Sequence, residues 1–498
     1  MIIRVAGVDE VFHRSLDHII HLFFEDVHVV FTEETPAHIT ISIELKEEQE
    51  KIMSYSVLEV AGEFPIYENR YSRTVTVERG SKEHRRQVRQ VISHSLLHVL
   101  QEYTGIEQPW GILTGIRPTK LLHASVRDGI PMEQAHHHLR ENYLIQDAKI
   151  NLMQQIVDRQ RAMVPDLYDL RREVSIYIGI PFCPTKCAYC TFPAYAINGR
   201  QGSVDSFLGG LHYEMREIGR WLKERDMRIT TIYFGGGTPT SITVEEMDML
   251  YEEMYHSFPH MDKVREITVE AGRPDTITPE KLAVLNKWNI DRISINPQSY
   301  IEETLKAIGR HHTVEETIEK FKLARKAGMN NINMDLIIGL PGEGVPEFEY
   351  TLGETAKLMP ESVTIHTLSF KRASEMTRNK DKYRVASREE IGDMMQRAEQ
   401  WTEAHGYVPY YLYRQKNILG NLENVGYAIP GQESIYNIMI MEEVQSIIGL
   451  GCGAASKWVH PKTDVITRFA NPKEPKAYND SYEHYTQAKI EALNELFS

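Results

Sequence analysis

Three of the four cysteines in the chain fall within eight residues, Cys183, Cys187 and Cys190, spaced C-x3-C-x2-C. They follow a short apolar run, Val174-Ser175-Ile176-Tyr177-Ile178. Three thiolates on one loop suit an iron–sulfur cube, which takes up to four cysteine ligands. With no fourth cysteine beside them, one iron is left open to bind another molecule. Zinc suits the pattern poorly, because structural zinc closes four ligands, commonly as two separated pairs, and a second pair is absent.

Such a loop needs a scaffold, and the pattern around it supplies one. Strand-like runs at Val174–Ile180, Thr231–Phe234, Arg265–Glu270, Arg292–Ile295, Asn331–Ile338 and Ser362–Leu368 alternate with amphipathic stretches. The clearest of these are Val204–Lys223, Val244–Ser257, Pro279–Lys287 and Val314–Ala327. Six strand–helix units in sequence predict a parallel barrel or part of one, with its site at the C-terminal strand ends. Unusual residues fall there. The second run ends in Gly235-Gly236-Gly237-Thr238, where backbone can approach a ligand without side-chain interference. Glu270 closes the third run and Gln298 follows the fourth. Asp335 lies within the apolar fifth run, where a carboxylate is costly without a partner or ligand. Arg310, in Gly309-Arg310-His311-His312, is a candidate partner for a carboxylate.

The rest of the chain is quieter. Residues 1 to about 170 hold strand-like runs (Ile2–Val5, Val27–Phe31, Ala37–Ile43, Val57–Val60, Arg73–Val77) and a helix over about Lys82–Tyr103, with Val88, Val91, Ile92, Leu96, Leu97 and Leu100 at helical spacing. The loop Trp110–Lys120 carries Arg117 and Lys120, which read more simply as solvated charges than as substrate anchors. His136-His137-His138 points three ways from one helix and reads as surface, not metal site. Gly449–Ser456 reads as a small-residue loop, and its Cys452 as a buried thiol.

The 498 residues provide for two or three domains, and 42% hydrophobic with 25% charged residues is the balance of a globular chain. A net charge of -14 with no basic tract argues against nucleic acid as a partner. No apolar span is long enough to cross a membrane. Few, clustered cysteines point to a reducing compartment, the cytoplasm.

Taken in order, these motifs resemble the radical S-adenosylmethionine (SAM) coproporphyrinogen dehydrogenases, the oxygen-independent coproporphyrinogen III oxidases, and their haem-chaperone relatives, over about residues 172–460. The resemblance implies an α/β fold: an N-terminal α+β domain of unknown role (1–170), a partial (β/α)6 radical SAM barrel (171–375) and a C-terminal α/β extension (376–498). It implies that Cys183, Cys187 and Cys190 hold a [4Fe–4S] cluster, and that Tyr177, Gly236 and Glu270 contact the SAM bound to it. Tyr189, Gly237, Thr238, Gln298, Arg310 and Asp335 match positions lining a second SAM site, with Ser369 and Ala455 as further contacts. The implied reaction converts propionates of coproporphyrinogen III to vinyl groups, giving protoporphyrinogen IX, with electrons from a donor such as a flavodoxin or ferredoxin.

Two positions depart from the pattern. Phe192 stands where the dehydrogenase has an additional cysteine. Tyr436-Asn437-Ile438-Met439-Ile440-Met441 aligns with the chaperones' haem-binding H-N-x-x-Y-W and keeps only the Asn. The long N-terminal region is similar to that of a third branch of the family. Alternatives are a haem chaperone that binds cluster and SAM without dehydrogenase activity, with His311 or His366 as haem ligand, or a radical SAM enzyme acting on another tetrapyrrole.

Overall fold

The computed structural model describes residues 1–498 apart from 25–26, 33–35, 63, 76, 191–193, 198–202, 370–375, 377–382 and 416–417. The chain forms two compact units, Met1–Gln154 and Gln155–Ser498.

The first unit is α+β. Its five-stranded sheet runs His28–Val30, Ile2–Ala6, Ile39–Glu47, Lys51–Val60, Tyr67–Thr74 in spatial order, parallel among the first three and antiparallel beyond. Alternation along Ile39, Ile41 and Ile43 turns one face inward. Helix Lys82–Thr104 packs on this sheet, capped by the Ser81 hydroxyl and ended by left-handed Gly105. All six residues expected on its apolar face are buried. The last strand covers Tyr67–Thr74, earlier than the expected Arg73–Val77. Its sequence alternates polar residues, as befits an edge strand, and lacks the apolar run that marks the others.

The second unit is built on one eleven-stranded sheet. Its seven parallel strands are numbered here in chain order: β1 (Val174–Ile180), β2 (Ile229–Gly236), β3 (Glu266–Val269), β4 (Arg292–Ser294), β5 (Ile332–Ile338), β6 (Ser362–Thr367) and β7 (Ser446–Gly451). Spatially they run β7-β1-β2-β3-β4-β5-β6. Antiparallel strands Asn424–Ala428 and Val408–Tyr413 extend the β6 side, and Ala455–Val459 and Ile466–Ala470 the β7 side. Helices Val204–Glu224, Val244–Ser257, Pro279–Lys287, Val314–Lys326, Val345–Leu358 and Arg388–Ala404 follow β1 to β6 in turn. This is the partial (β/α)6 barrel with α/β additions.

The two faces of the strands separate core from site. Ile176, Ile178, Ile232 and Phe234 belong to the core shared with helix residues Phe207, Leu211, Met215, Met247 and Leu250. Tyr177 and Tyr233 alternate with them, so they point to the opposite, interior face.

β7 corrects the reading of Gly449–Ser456 as a loop, because residues up to Gly451 are strand. The small residues reflect close packing of strand on strand. A Cβ at Gly451 would lie 2.4 Å from the Gly179 carbonyl oxygen. Beneath β7, buried Lys489 donates to Glu214 and to the Gly449 carbonyl. Glu214 also accepts from Gly451 N–H (2.7 Å) and the Tyr478 hydroxyl (2.8 Å). No helix among the described residues is long and apolar enough to cross a membrane.

Candidate cofactor-binding site

The cysteine loop leaves β1 at Ile180 and is held by the loops of three neighbouring strands. From the β2 end, Gly237 N–H donates to Ile180 (2.7 Å), Thr238 N–H to Phe182 (2.7 Å), and the Thr238 hydroxyl meets Cys183 Sγ at 3.2 Å. From the β3 end, Arg273 reaches the Thr185 hydroxyl at 3.0 Å. Past β4, Ile308 accepts from Ala188 N–H at 2.9 Å. None of the four cysteines is disulfide-bonded, and the three on the loop are half-buried. Burial pushes the Cys183 thiol up to about 11. Cys452 lies apart, buried, donating to the Lys473 carbonyl at 3.3 Å.

Glycine at 237 is a packing requirement. A Cβ there would come 2.5 Å from the Phe182 oxygen, and that atom is backbone. Gly237→Ala is expected to displace the cysteine loop and cut iron taken up on reconstitution. Gly209→Ala, on a helix position where a Cβ meets nothing within 4 Å, is expected to leave it unchanged. Equal iron content in wild type and Gly237→Ala would refute this.

Below the loop, three tyrosines fill the barrel interior. Tyr177 stacks 6.2 Å from Tyr233, which stacks 4.3 Å from Tyr436. Tyr436 is the second residue of a helix, Ile435–Glu442, whose first amides are caught by buried Glu266: Ile435 N–H at 2.8 Å and Tyr436 N–H at 3.1 Å. The Tyr233 hydroxyl donates to Glu270, just beyond β3. Burial raises the Glu270 carboxyl to about 7, with the Asp335 charge adding to the effect and the Tyr233 and Gly236 hydrogen bonds opposing it. A Cβ at Gly235 would come within 3.1 Å of both Glu270 Oε2 and the Tyr177 ring.

The Glu270 shift has a sign. Between pH 4.5 and about 7 the folded protein keeps a proton on Glu270 that the unfolded chain has lost. That contribution to stability is full below pH 4.5 and is lost as pH rises through 7. In the apo-protein, Glu270→Gln is expected to flatten the fall in melting temperature across this window. Parallel pH profiles for the two proteins would contradict the assignment.

Asp335, on β5, is enclosed by polar partners. Asn333 and Asn296 donate to it at 2.8 and 2.9 Å, and His366 Nε2 lies 3.6 Å away. Burial works against the carboxylate, yet His366, Asn333 and Thr364 outweigh it and hold Asp335 below the usual range. His366 Nδ1 in turn meets the Tyr413 hydroxyl at 3.2 Å. Arg310 donates to the carbonyls of Gly272 (3.2 Å) and Asn296 (2.9 Å) and lies beside Tyr189 and Cys187. Gln298 takes a left-handed backbone (φ 67°) and bridges Leu336, and its side-chain oxygen is buried without a partner.

The structure thus brings Cys183, Cys187, Tyr177, Tyr189, Gly236, Gly237, Thr238, Glu270, Gln298, Arg310 and Asp335 to the strand ends and interior of one barrel, with Cys190 on the same loop. Ser369 is buried beyond β6, where it bridges Ile418, and Ala455 is exposed at the start of its antiparallel strand. Phe192 lies outside the described residues. Arg117 and Lys120 belong to the first unit. His311 is exposed, and His136 and His138 pair with Gln154 and Asn142. Sequence reasoning passed over Arg273 and Tyr233, and marked Tyr436 only as a departure from the haem-binding signature. An arginine three residues past a strand-end carboxylate, between Gly and Pro, was the available signal for the first.

The donor set fits an iron–sulfur cluster with SAM. Three soft thiols share one loop, the glycine run admits backbone where side chains would clash, and the Gln298 oxygen and Arg310 Nε are buried without partners. Among the described residues no three His, Cys, Asp or Glu side chains converge as they would on a single ion. Ligands to a four-iron cube stand further apart.

Residues 177–354 match the family model of the radical SAM superfamily. Over its full length the chain is 64% identical to the oxygen-independent coproporphyrinogen-III oxidase-like protein HemZ of Bacillus subtilis, covering 99% of that protein. The chain belongs to the HemZ-like branch of the radical SAM superfamily. Proteins of this superfamily use a [4Fe–4S] cluster and SAM. The haem chaperone HemW of B. subtilis is 30% identical over 64% of this chain and 81% of its own length. Among solved structures, the coproporphyrinogen III oxidase HemN of Escherichia coli superposes with a TM-score of 0.52 at 21% identity, over 66% of this chain and 72% of that one. That likeness concerns the fold.

Proposed function

We propose that the protein catalyses oxygen-independent oxidative decarboxylation of coproporphyrinogen III, converting two propionates to vinyl groups and giving protoporphyrinogen IX. The observation that carries this reading is the meeting of cysteine loop, glycine run and Glu270 at one barrel end, in a chain similar throughout to a coproporphyrinogen-III oxidase-like protein. Cys183, Cys187 and Cys190 would hold the cluster, and the Gly235–Gly237 backbone with Glu270 would hold the amino-acid end of SAM. When bound there, cluster and SAM would together supply one-electron radical chemistry capable of hydrogen-atom abstraction from a propionate.

The protein's own groups position and exclude. The tyrosine stack fills the interior beneath the site and keeps water from it. Tyr233 fixes the Glu270 carboxyl, and Arg310 ties the loops after β3 and β4 together through Gly272 and Asn296. In each round one hydrogen atom would go to the SAM-derived radical, CO2 would leave, and the remaining electron would pass to a separate one-electron acceptor, leaving the vinyl group. An electron-donor protein such as a flavodoxin or ferredoxin would serve the cluster, in the cytoplasm, where the thiols stay reduced.

A chaperone reading draws on the likeness to HemW. Against it, Tyr436, at the place of the haem-binding histidine, is buried in the tyrosine stack. Anaerobic incubation of reconstituted protein with coproporphyrinogen III, SAM and a reductant separates these. Loss of two CO2 with 5′-deoxyadenosine formed in step is the expected result. Deoxyadenosine without decarboxylation would move the substrate to another tetrapyrrole, and an intact cluster yielding neither would favour the chaperone.

A further inference from the structure

Arg273 is 3% exposed, close to the complete burial that arginine seldom meets without partners. Its guanidinium has two distinct sides. Nε and Nη2 grip Asp275 in a bidentate pair at 3.0 and 2.8 Å. Nη1 points the other way, to the hydroxyl (3.0 Å) and carbonyl (3.4 Å) of Thr185, midway between Cys183 and Cys187. The positive end of the pair therefore faces the cysteine loop and the negative end faces away. The loop's other supports, Thr238 and the Ile308 carbonyl, are uncharged. Arg310, beside Cys187, is also buried, and buried His312 is held neutral by its burial and by the two arginines. Asp275 keeps its charge: burial opposes it, and Arg273 holds it below the usual carboxylate range.

We infer that Arg273, oriented by Asp275, is a positioning residue that sets the reduction potential of the cluster carried by Cys183, Cys187 and Cys190. This rests on the cofactor reading above. A fixed positive charge on the protein side of an iron–sulfur cluster favours the state with one more electron, and a nearby negative charge disfavours it. The two halves of the pair therefore act with opposite sign, one nearer the thiols than the other. The hydrogen bonds to Thr185 make the same guanidinium a clamp on loop shape, so charge and geometry are supplied by one side chain.

The opposite signs give the test. Reconstituted full-length wild type, Arg273→Gln and Asp275→Asn would be titrated anaerobically by EPR, with iron and sulfide counted for each. Removing the cation in Arg273→Gln is expected to shift the midpoint to more negative values. Removing the anion in Asp275→Asn is expected to shift it to more positive values. Arg273→Lys, which keeps charge and loses the fork, is expected to lie closer to wild type than Arg273→Gln does. Shifts of the same sign in Arg273→Gln and Asp275→Asn, or no shift in either, would overturn the inference and leave a purely structural clamp. If Arg273→Gln takes up no cluster, Asp275→Asn decides alone, and an unchanged or more negative midpoint there overturns it. Absence of a four-iron signal from wild type would instead defeat the cofactor reading itself.

Discussion

Cys187→Ala is expected to abolish both the four-iron chromophore and the formation of 5′-deoxyadenosine, while Cys452→Ser keeps both. The contrast follows from placement. Cys187 lies on the loop clamped by the β2, β3 and β4 ends, beside Arg310. Cys452 is buried in the turn after β7, with its thiol donated to the Lys473 carbonyl and pushed up to about 12 by burial. Its thiol hydrogen is already taken by that carbonyl, and the residue is not on the cysteine loop. The measurements are iron and sulfide per chain and deoxyadenosine by chromatography. If Cys452→Ser lost as much iron as Cys187→Ala, a fourth protein ligand would close the cluster, and the open iron that SAM requires would be gone.

The second large effect is on stability. Lys489→Met leaves Glu214 buried and charged without its cation, which costs about 3–5 kcal/mol. Glu214 retains hydrogen bonds from Gly451, Asn471 and Tyr478, so the loss falls toward the lower end of that range. The double variant Glu214→Leu with Lys489→Met is expected to recover part of it, because no uncompensated charge remains. Denaturant unfolding of the three proteins checks this. An unfolding midpoint for Lys489→Met equal to wild type would show that the pair contributes nothing. Because Gly449 and Gly451 on β7 pair with Tyr177 and Gly179 on β1, the damage is expected to reach the cysteine loop and lower iron retention as well.

How much of this was legible in the sequence depends on how far apart the partners lie along the chain. The strands Val174–Ile180 and Ile332–Ile338 stand within a residue of where apolar runs placed them, because a parallel strand buried on both faces is written as a continuous apolar stretch. Cys183, Gly237 and Glu270 could be picked out because each closes such a stretch. Tyr436 could not, because nothing near it reveals that its ring ends on Tyr233. Arg273 carried a local signal, but its partner Thr185 comes from another strand's loop, and the glycines of β7 mimic a turn. Tyr67–Thr74 was obscured for a different reason: an edge strand with one solvated face carries no apolar run.

The pairing of β7 with β1 also bears on how the protein is made. As the chain emerges from the ribosome, β2 follows β1 closely, and the cysteine loop, glycine run and Glu270 are all present by residue 270. The other flank of β1 waits for residues 446–451. Until then the strand that launches the cysteine loop has an unpaired edge, open to association with other nascent chains. Closure of the sheet around β1 therefore comes well after the cysteine loop itself has been synthesised. A product truncated before residue 446 would carry the cysteine loop, the glycine run and Glu270 and still lack the neighbour that fixes β1 in place.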